Sequence, residues 1–324
     1  MELLRDGDID PAPLAGKQVA ILGFGNQGRA QALNLKDGGA DVVVGLRGSS
    51  LSKAVAETLG LRVKPLDEAA AAADVILFLA PDEALGAIYA GVEPRLREGA
   101  AIGFSHGLAV HFGLIEPRSD LDVFMVAPKG PGSALRSLYL AGEGMIALWA
   151  VAQDASGGAR ELALAYGRAI GCARAGLIAS SFGEECEADL FNEQAVVWGA
   201  VPEILVAGFE TLTDAGIAPE VAFLECIGEL KLIAELIEAR GIAGMREAIS
   251  NTAELGAVLG GPRIVDEHVR RRMQDVFADV SSGRFAEQLR REAAGGYPQL
   301  KEARRNARAH SVEHMFEKLR GLTA

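Results

Sequence analysis

The chain has 324 residues, 49% of them hydrophobic and 6% aromatic, with a formal net charge of −12. That length holds a sizeable core and two domains, and that charge argues against nucleic acid or anionic membrane as a partner. Cys172, Cys186 and Cys226 show no CxxC pairing. They therefore exclude a disulfide scaffold or a thiolate zinc site, and they fit a reducing compartment.

The opening MELLRDGDID is acidic and carries no secretory pattern, so a cytoplasmic protein is expected. No apolar run is read as approaching the roughly 20 residues of a membrane span. From Lys17, the stretch KQVAILGFGNQGRAQALNLKDGGADVVVGLRGSS reads as strand, glycine turn, helix, strand, with Gly38 and Gly39 stopping the helix. Short apolar strands follow at 74–81, 100–107 and 122–132, each ending in Pro, Gly or a polar cluster and separated by helical segments. Strands alternating with helices predict an α/β, doubly wound parallel sheet. Ligands of such sheets bind beyond the carboxyl ends of the strands, where those polar clusters fall. Strand character fades after 171–182, and the pattern becomes long helices, read as 186–213, 219–239 and further segments. The expected domains are 1–182, dinucleotide-binding, and 183–324, all-helical.

Gly23, Gly25 and Gly28 form GxGxxG between a strand and a helix. The glycines permit a tight turn and a close approach to pyrophosphate, and the helix N-terminus favours the negative charge. With Phe24, Asn26 and Gln27 between them, and Pro81 and Asp82 after the next strand, they make up the candidate cofactor loop. At the end of the second strand, where an acidic residue would bind a ribose hydroxyl, the chain reads GLRGSSLS. Arg47, Ser49, Ser50 and Ser52 suit a 2′-phosphate, so NADPH is expected over NADH.

Two acidic pairs are harder to dismiss as surface. Asp189 and Glu193, and again Glu225 and Glu229, lie four residues apart. Like charges at that spacing cost a helix roughly 0.2–0.5 kcal/mol. Both pairs align with apolar stripes: Val196 and Ala200 for the first, and Val221, Leu232 and Leu236 for the second. The run AVVWGAVPEILVAGF is expected to be buried. Carboxylates there need neutralising, and oxygen ligands without His or Cys point to Mg²⁺ or Mn²⁺, with room for two ions.

GFGNQG, LR with its serines, FSHG, APKGPG, DLFNEQ, GFETLTDAG, ECIGELKLI and SNTAE follow one another in this order. The combination strongly resembles the ketol-acid reductoisomerase family in its shorter form, over nearly the whole chain. The resemblance implies an NADPH-binding Rossmann domain, a knotted all-helical domain, and a homodimer whose intertwined helices share each active site. It implies that Asp189, Glu193, Glu225 and Glu229 hold two Mg²⁺, with Glu229 also handling a proton. His106 and Lys129 would stand between nicotinamide and metals, His106 ordering water or relaying a proton and Lys129 holding negative charge. Ser250, with Ile249, Ala253 and Pro131, would line the substrate. The implied reaction takes a 2-hydroxy-3-keto acid such as 2-acetolactate or 2-aceto-2-hydroxybutyrate. Alkyl migration and hydride reduction then give the 2,3-dihydroxy acid of valine and isoleucine biosynthesis.

Trp198 stands where the family usually has a small Cys, and Gly228 where it usually has His. The indole either reshapes the alkyl pocket or turns outward to the dimer interface. A specialised relative acting on another 2-keto or ketol acid is the alternative, and Trp198 therefore joins the candidate substrate residues.

Overall fold

The computed structural model describes residues 2–323, and it divides into two compact units that meet between Ala188 and Asp189. The first unit is built on a nine-stranded sheet. Its strands are β1 (Leu3–Leu4), β2 (Gln18–Leu22), β3 (Asp41–Leu46), β4 (Arg62–Pro65), β5 (Val75–Phe78), β6 (Ala101–Phe104), β7 (Asp122–Pro128), β8 (Ala147–Gln153) and β9 (Leu177–Ala179). They lie in the order β1-β9-β8-β7-β6-β5-β2-β3-β4. From β4 to β7 all pairings are parallel, and the chain direction reverses its progress across the sheet between β2 and β5. This is the six-stranded dinucleotide-binding arrangement, with its crevice at the reversal point. The sheet is not parallel throughout, as the alternation of elements had suggested. β8 runs antiparallel to β7, and β1 caps the far edge antiparallel to β9.

The helices of this unit are α1 (Asn26–Asp37), α2 (Ser52–Thr58), α3 (Leu66–Ala72), α4 (Asp82–Val92), α5 (Leu108–His111), α6 (Gly132–Leu140) and α7 (Ala159–Ala169). They cover both faces, which is why the strands read as unbroken apolar runs. Alternate residues feed separate cores. Val19 and Ile21 of β2 join Val44, Leu77 and Tyr166 on one side, while Ala20 and Leu22 join Ile76, Phe78 and Phe104 on the other.

The remaining helices are α8 (Phe182–Ala195), α9 (Ala200–Asp214), α10 (Pro219–Phe223), α11 (Leu230–Glu247), α12 (Asn251–Ile264), α13 (Glu267–Ser281), α14 (Arg284–Ala294), α15 (Pro298–Ala309) and α16 (Ser311–Thr323). The first turn of α8 belongs to the sheet unit: Phe182 packs edge-on against Phe104, with ring centroids 6.1 Å apart. The second unit begins at Asp189.

Four expectations fail here. The long helix read over 186–213 is broken at 196–199, where the N–H groups of Val196 and Val197 both donate to the Asn192 carbonyl. The helix read over 219–239 is interrupted by a π turn, Leu224–Gly228, and α11 kinks at Gly241, whose φ is 67°. The apolar run is also not buried within the chain: Phe209 alone is buried on α9. By length and composition Phe182–Asp214 is apolar enough to cross a membrane, contrary to expectation, and 11% of that window is buried. Core and interface helices of soluble proteins pass the same test, so this carries no membrane assignment. The run stays exposed because apolar composition supplies the drive for burial but not the covering surface. Among the described residues, that surface is absent from residues 189–323.

Candidate functional site

The loop joining β2 to α1 shows what each glycine does. Gly23 has φ 114°, and a Cβ there would sit 2.5 Å from the Leu79 carbonyl oxygen. A Cβ on Gly28 would lie 2.6 Å from the Gly23 oxygen. At Gly25 an added Cβ meets no protein atom within 4 Å. The first and third glycines therefore answer to packing, while no protein atom crowds the second, where a pyrophosphate could approach the backbone. Gly25 caps α1 without a side-chain hydrogen bond, which leaves first-turn N–H groups for a phosphate. These residues fit a dinucleotide. The side chains between the glycines pack or hydrogen-bond within the protein. Phe24 belongs to the core, the Asn26 side-chain oxygen accepts from the Ser133 N–H, and the Gln27 amide donates to the Gly130 carbonyl.

Arg47 is exposed at the end of β3, beside β2. The Ser50 N–H donates to the Arg47 carbonyl and the Ser50 hydroxyl accepts from the Ser52 N–H, so Arg47, Ser49, Ser50 and Ser52 share one tight turn. Pro81 and Asp82 open α4 after β5, across the crevice.

The residue that organises the catalytic candidates was not among those expected. Glu185, in the first turn of α8, is 1% exposed. One of its oxygens accepts from His106 Nδ1 at 3.0 Å and from the Gly107 N–H at 2.8 Å. The other accepts from Lys129 Nζ at 3.0 Å. His106 follows β6 and Lys129 follows β7, so one buried carboxylate gathers two adjacent strand ends. The approach of α8 requires Gly107, where a Cβ would lie 2.0 Å from the Phe182 carbonyl oxygen.

The charges settle as a set. Burial opposes a charged His106, but its hydrogen bonds to Cys186 and Glu185, together with the Glu185 and Asp82 charges, hold its pKa far above the ordinary imidazole value. Burial likewise opposes an ionised Glu185, and His106 and Lys129 overcome it and keep the carboxyl below its usual range. At neutral pH the cluster is two cations around one anion, with a net positive charge at the carboxyl end of the sheet.

A sequence signal for Glu185 existed. Glu185, Asp189 and Glu193 recur every four residues, one stripe over three turns of α8. Considering Asp189 and Glu193 only as a pair hid the third member.

Asp189 is partly buried, while Glu193, Glu225 and Glu229 are exposed. Glu225 lies inside the π turn and Glu229 closes it. Val221 and Leu232, expected to be covered beside them, are 48% and 58% exposed. Among the described residues, no three of the four expected metal carboxylates come together as a ligand set. One chain presents two half-sets, each of oxygen donors suited to a hard divalent cation. Gly228 faces open space beyond Leu224. Ser250 caps α12, its hydroxyl accepting from the Ala253 N–H at 3.2 Å, and Ile249 precedes it half-buried. Pro131 caps α6. Trp198 is 64% exposed in the break between α8 and α9. All three cysteines are free.

Comparison with known proteins places these features in a family. Residues 13–176 match the acetohydroxy acid isomeroreductase NADPH-binding domain, and residues 182–324 match the ketol-acid reductoisomerase C-terminal domain. An NADH-preferring ketol-acid reductoisomerase from an uncultured archean is 42% identical, over 99% of both chains, with a TM-score of 0.96. A Cupriavidus necator semialdehyde dehydrogenase NAD-binding protein, solved with calcium and NAD, is 19% identical over 82% of this chain and 98% of its own, at TM-score 0.61. A Plasmodium falciparum pyrroline carboxylate reductase with NADP bound is 12% identical over 83% and 98%, at TM-score 0.52. The last two share the fold alone. The chain belongs to the ketol-acid reductoisomerase family, enzymes that combine isomerase and oxidoreductase chemistry with a nicotinamide cofactor.

Proposed function

We propose that this enzyme converts 2-acetolactate, or 2-aceto-2-hydroxybutyrate, to the 2,3-dihydroxy acid of branched-chain amino-acid biosynthesis, using Mg²⁺ and NADPH. The observation that carries the reading is the cluster of His106, Lys129 and Glu185 beside the glycine loop. Its two cations offer positive charge where the substrate oxygens become anionic. The hydroxyl proton leaves, the alkyl group moves to the neighbouring carbonyl carbon, and the new 2-keto group is reduced. Lys129 steadies the developing oxyanion. Protonated His106 supplies a proton to it directly or through water. Glu229 would take the hydroxyl proton.

Asp189 and Glu193 would hold Mg²⁺ from one chain and Glu225 and Glu229 from a second copy, the metal serving as Lewis acid and template. NADPH supplies the hydride. The half-sets on one chain, and the exposed apolar helices around them, support a homodimer at least. Preference for NADPH rests on Arg47 and its serines. The similar enzyme that prefers NADH shows that preference is not uniform in the family, so this part of the reading rests on the loop alone.

The test is turnover of acetolactate, acetohydroxybutyrate and simple 2-keto acids with NADPH or NADH, each with and without Mg²⁺. Metal-dependent NADPH oxidation with the acetohydroxy acids is expected, and Glu225→Gln should cost well over tenfold, as expected for a lost group acting in the transition state. Turnover of simple keto acids alone, without metal, would replace isomeroreduction with plain reduction. Trp198 favours a second reading, a relative with a reshaped pocket. Trp198→Cys should then accept larger acids than the wild type, and an unchanged panel would assign the indole to packing.

A further inference from the structure

Gln31 is 0% exposed, yet it lies on α1 one turn beyond the glycine loop and touches neither Glu185 nor its partners. Its amide is fully engaged. The nitrogen donates to Gln27 Oε1 at 3.0 Å and to the Ser105 hydroxyl at 2.9 Å, and the oxygen accepts from the Tyr166 hydroxyl at 2.6 Å. Gln27 in turn donates to the Gly130 carbonyl at 2.9 Å.

A backbone carbonyl can only accept, so Gly130 sets the orientation of the Gln27 amide. The Gln27 oxygen then faces Gln31 and sets the Gln31 nitrogen toward it. The Gln31 oxygen is left for Tyr166, a phenol that burial keeps protonated and therefore a permanent donor. The chain of bonds has one direction and no spare member.

Its ends matter. Gln27 belongs to the dinucleotide loop. Ser105 immediately precedes His106, and Gly130 immediately follows Lys129. His106 and Lys129 are thus held twice, by Glu185 through their side chains and by the Gln27–Gln31 amides through the adjoining residues.

We propose that Gln31 is a positioning residue, coupling the seating of the nicotinamide cofactor to the seating of His106 and Lys129 through this buried amide chain. The inference rests on the roles given to those two residues under the proposed function. A cofactor that orders Gln27 orders Gly130 and, through Gln31, Ser105. A looser Gln31 loosens all three strand ends together.

The test uses the full-length enzyme and Gln31→Met, which keeps reach and volume and removes every hydrogen bond, with Tyr166→Phe as a milder cut in the same chain. Three quantities are measured: the NADPH Kd by fluorescence, kcat at saturating acetolactate, Mg²⁺ and NADPH, and the thermal midpoint. Coupling predicts that Gln31→Met lowers kcat by about tenfold or more and raises the NADPH Kd. It also predicts that Tyr166→Phe shifts both in the same direction, and that the double variant is no worse than Gln31→Met alone. A purely structural glutamine would lower the midpoint and leave kcat and Kd at wild-type values, and that result overturns the proposal. Should Gln31→Met not fold, Tyr166→Phe decides on the same two quantities. A wild-type enzyme that neither binds NADPH nor turns over would sink the proposed function as well. A working wild type beside unaffected variants sinks the coupling alone.

Discussion

Glu185 is a buried carboxylate whose two oxygens meet three donors. Removing its charge should cost more than losing one surface ion pair, because two cations would remain without their anion. Glu185→Gln should destabilise the fold by about 2–4 kcal/mol, discounted because Lys129 is a third exposed. Activity should fall with it. The dependence on pH follows from the two shifts. His106 is raised above 6.5 to about 11, so its contribution is complete below 6.5 and is lost as pH climbs toward the folded value. Glu185 is lowered from 4.5, so its contribution is complete above 4.5 and is lost as pH falls through the lower folded value. Unfolding midpoints of the wild type should therefore decline on both sides of a plateau between 4.5 and 6.5. The alkaline decline should flatten in Glu185→Gln, and an unchanged profile would exonerate the carboxylate.

Helix α8 carries Glu185, and its seat depends on a glycine that a sequence motif leaves unexplained. Gly107 lets the Phe182 carbonyl approach within reach of the start of α5, and that carbonyl is backbone that cannot swing away. A Cβ on Gly183 would lie 3.1 Å from the His111 ring, a longer contact and with a side chain rather than backbone. Gly107→Ala should therefore cost roughly 1–3 kcal/mol through overpacking and should displace Glu185 from His106. Gly183→Ala should cost visibly less. Paired denaturation and kcat measurements check the ranking, and equal losses would mean that α8 is not seated by Gly107. The same element shows why helix limits were misjudged. Sequence spacing reads as one helix over 186–213, but the shared acceptor at Asn192 ends α8 at Ala195.

For the whole molecule, the uneven exposure of apolar residues is the main clue to assembly. Of 24 exposed large hydrophobics among the described residues, 19 lie beyond Asp189, among them Leu232, Leu255, Leu259 and Ile264. Such a surface signals association, and the half-sets of carboxylates suggest a second copy as the partner. Light scattering should return a dimer or larger. Leu259→Glu should shift it toward monomer and remove activity without removing nicotinamide-cofactor binding, the function of the family domain that the sheet unit matches. A monomer that turns over at full rate would refute the shared site.

The sequence alone determined the dinucleotide half. β2, β3, β5, β6 and β7 are short, mainly apolar runs bounded by turn residues, and Gly23 and Gly28 of GxGxxG are required by contacts within the loop and the strand beside it. It also offered the oxygen donors that a hard cation would need, wherever the chain places them. The tertiary structure decided what lies beyond one helix's reach. It brought Glu185 to His106 and Lys129 from 79 and 56 residues away, and it left the apolar helices uncovered. Local spacing records which face a side chain occupies. Whether that face is buried, and against what, depends on surfaces distant in the chain or on another molecule.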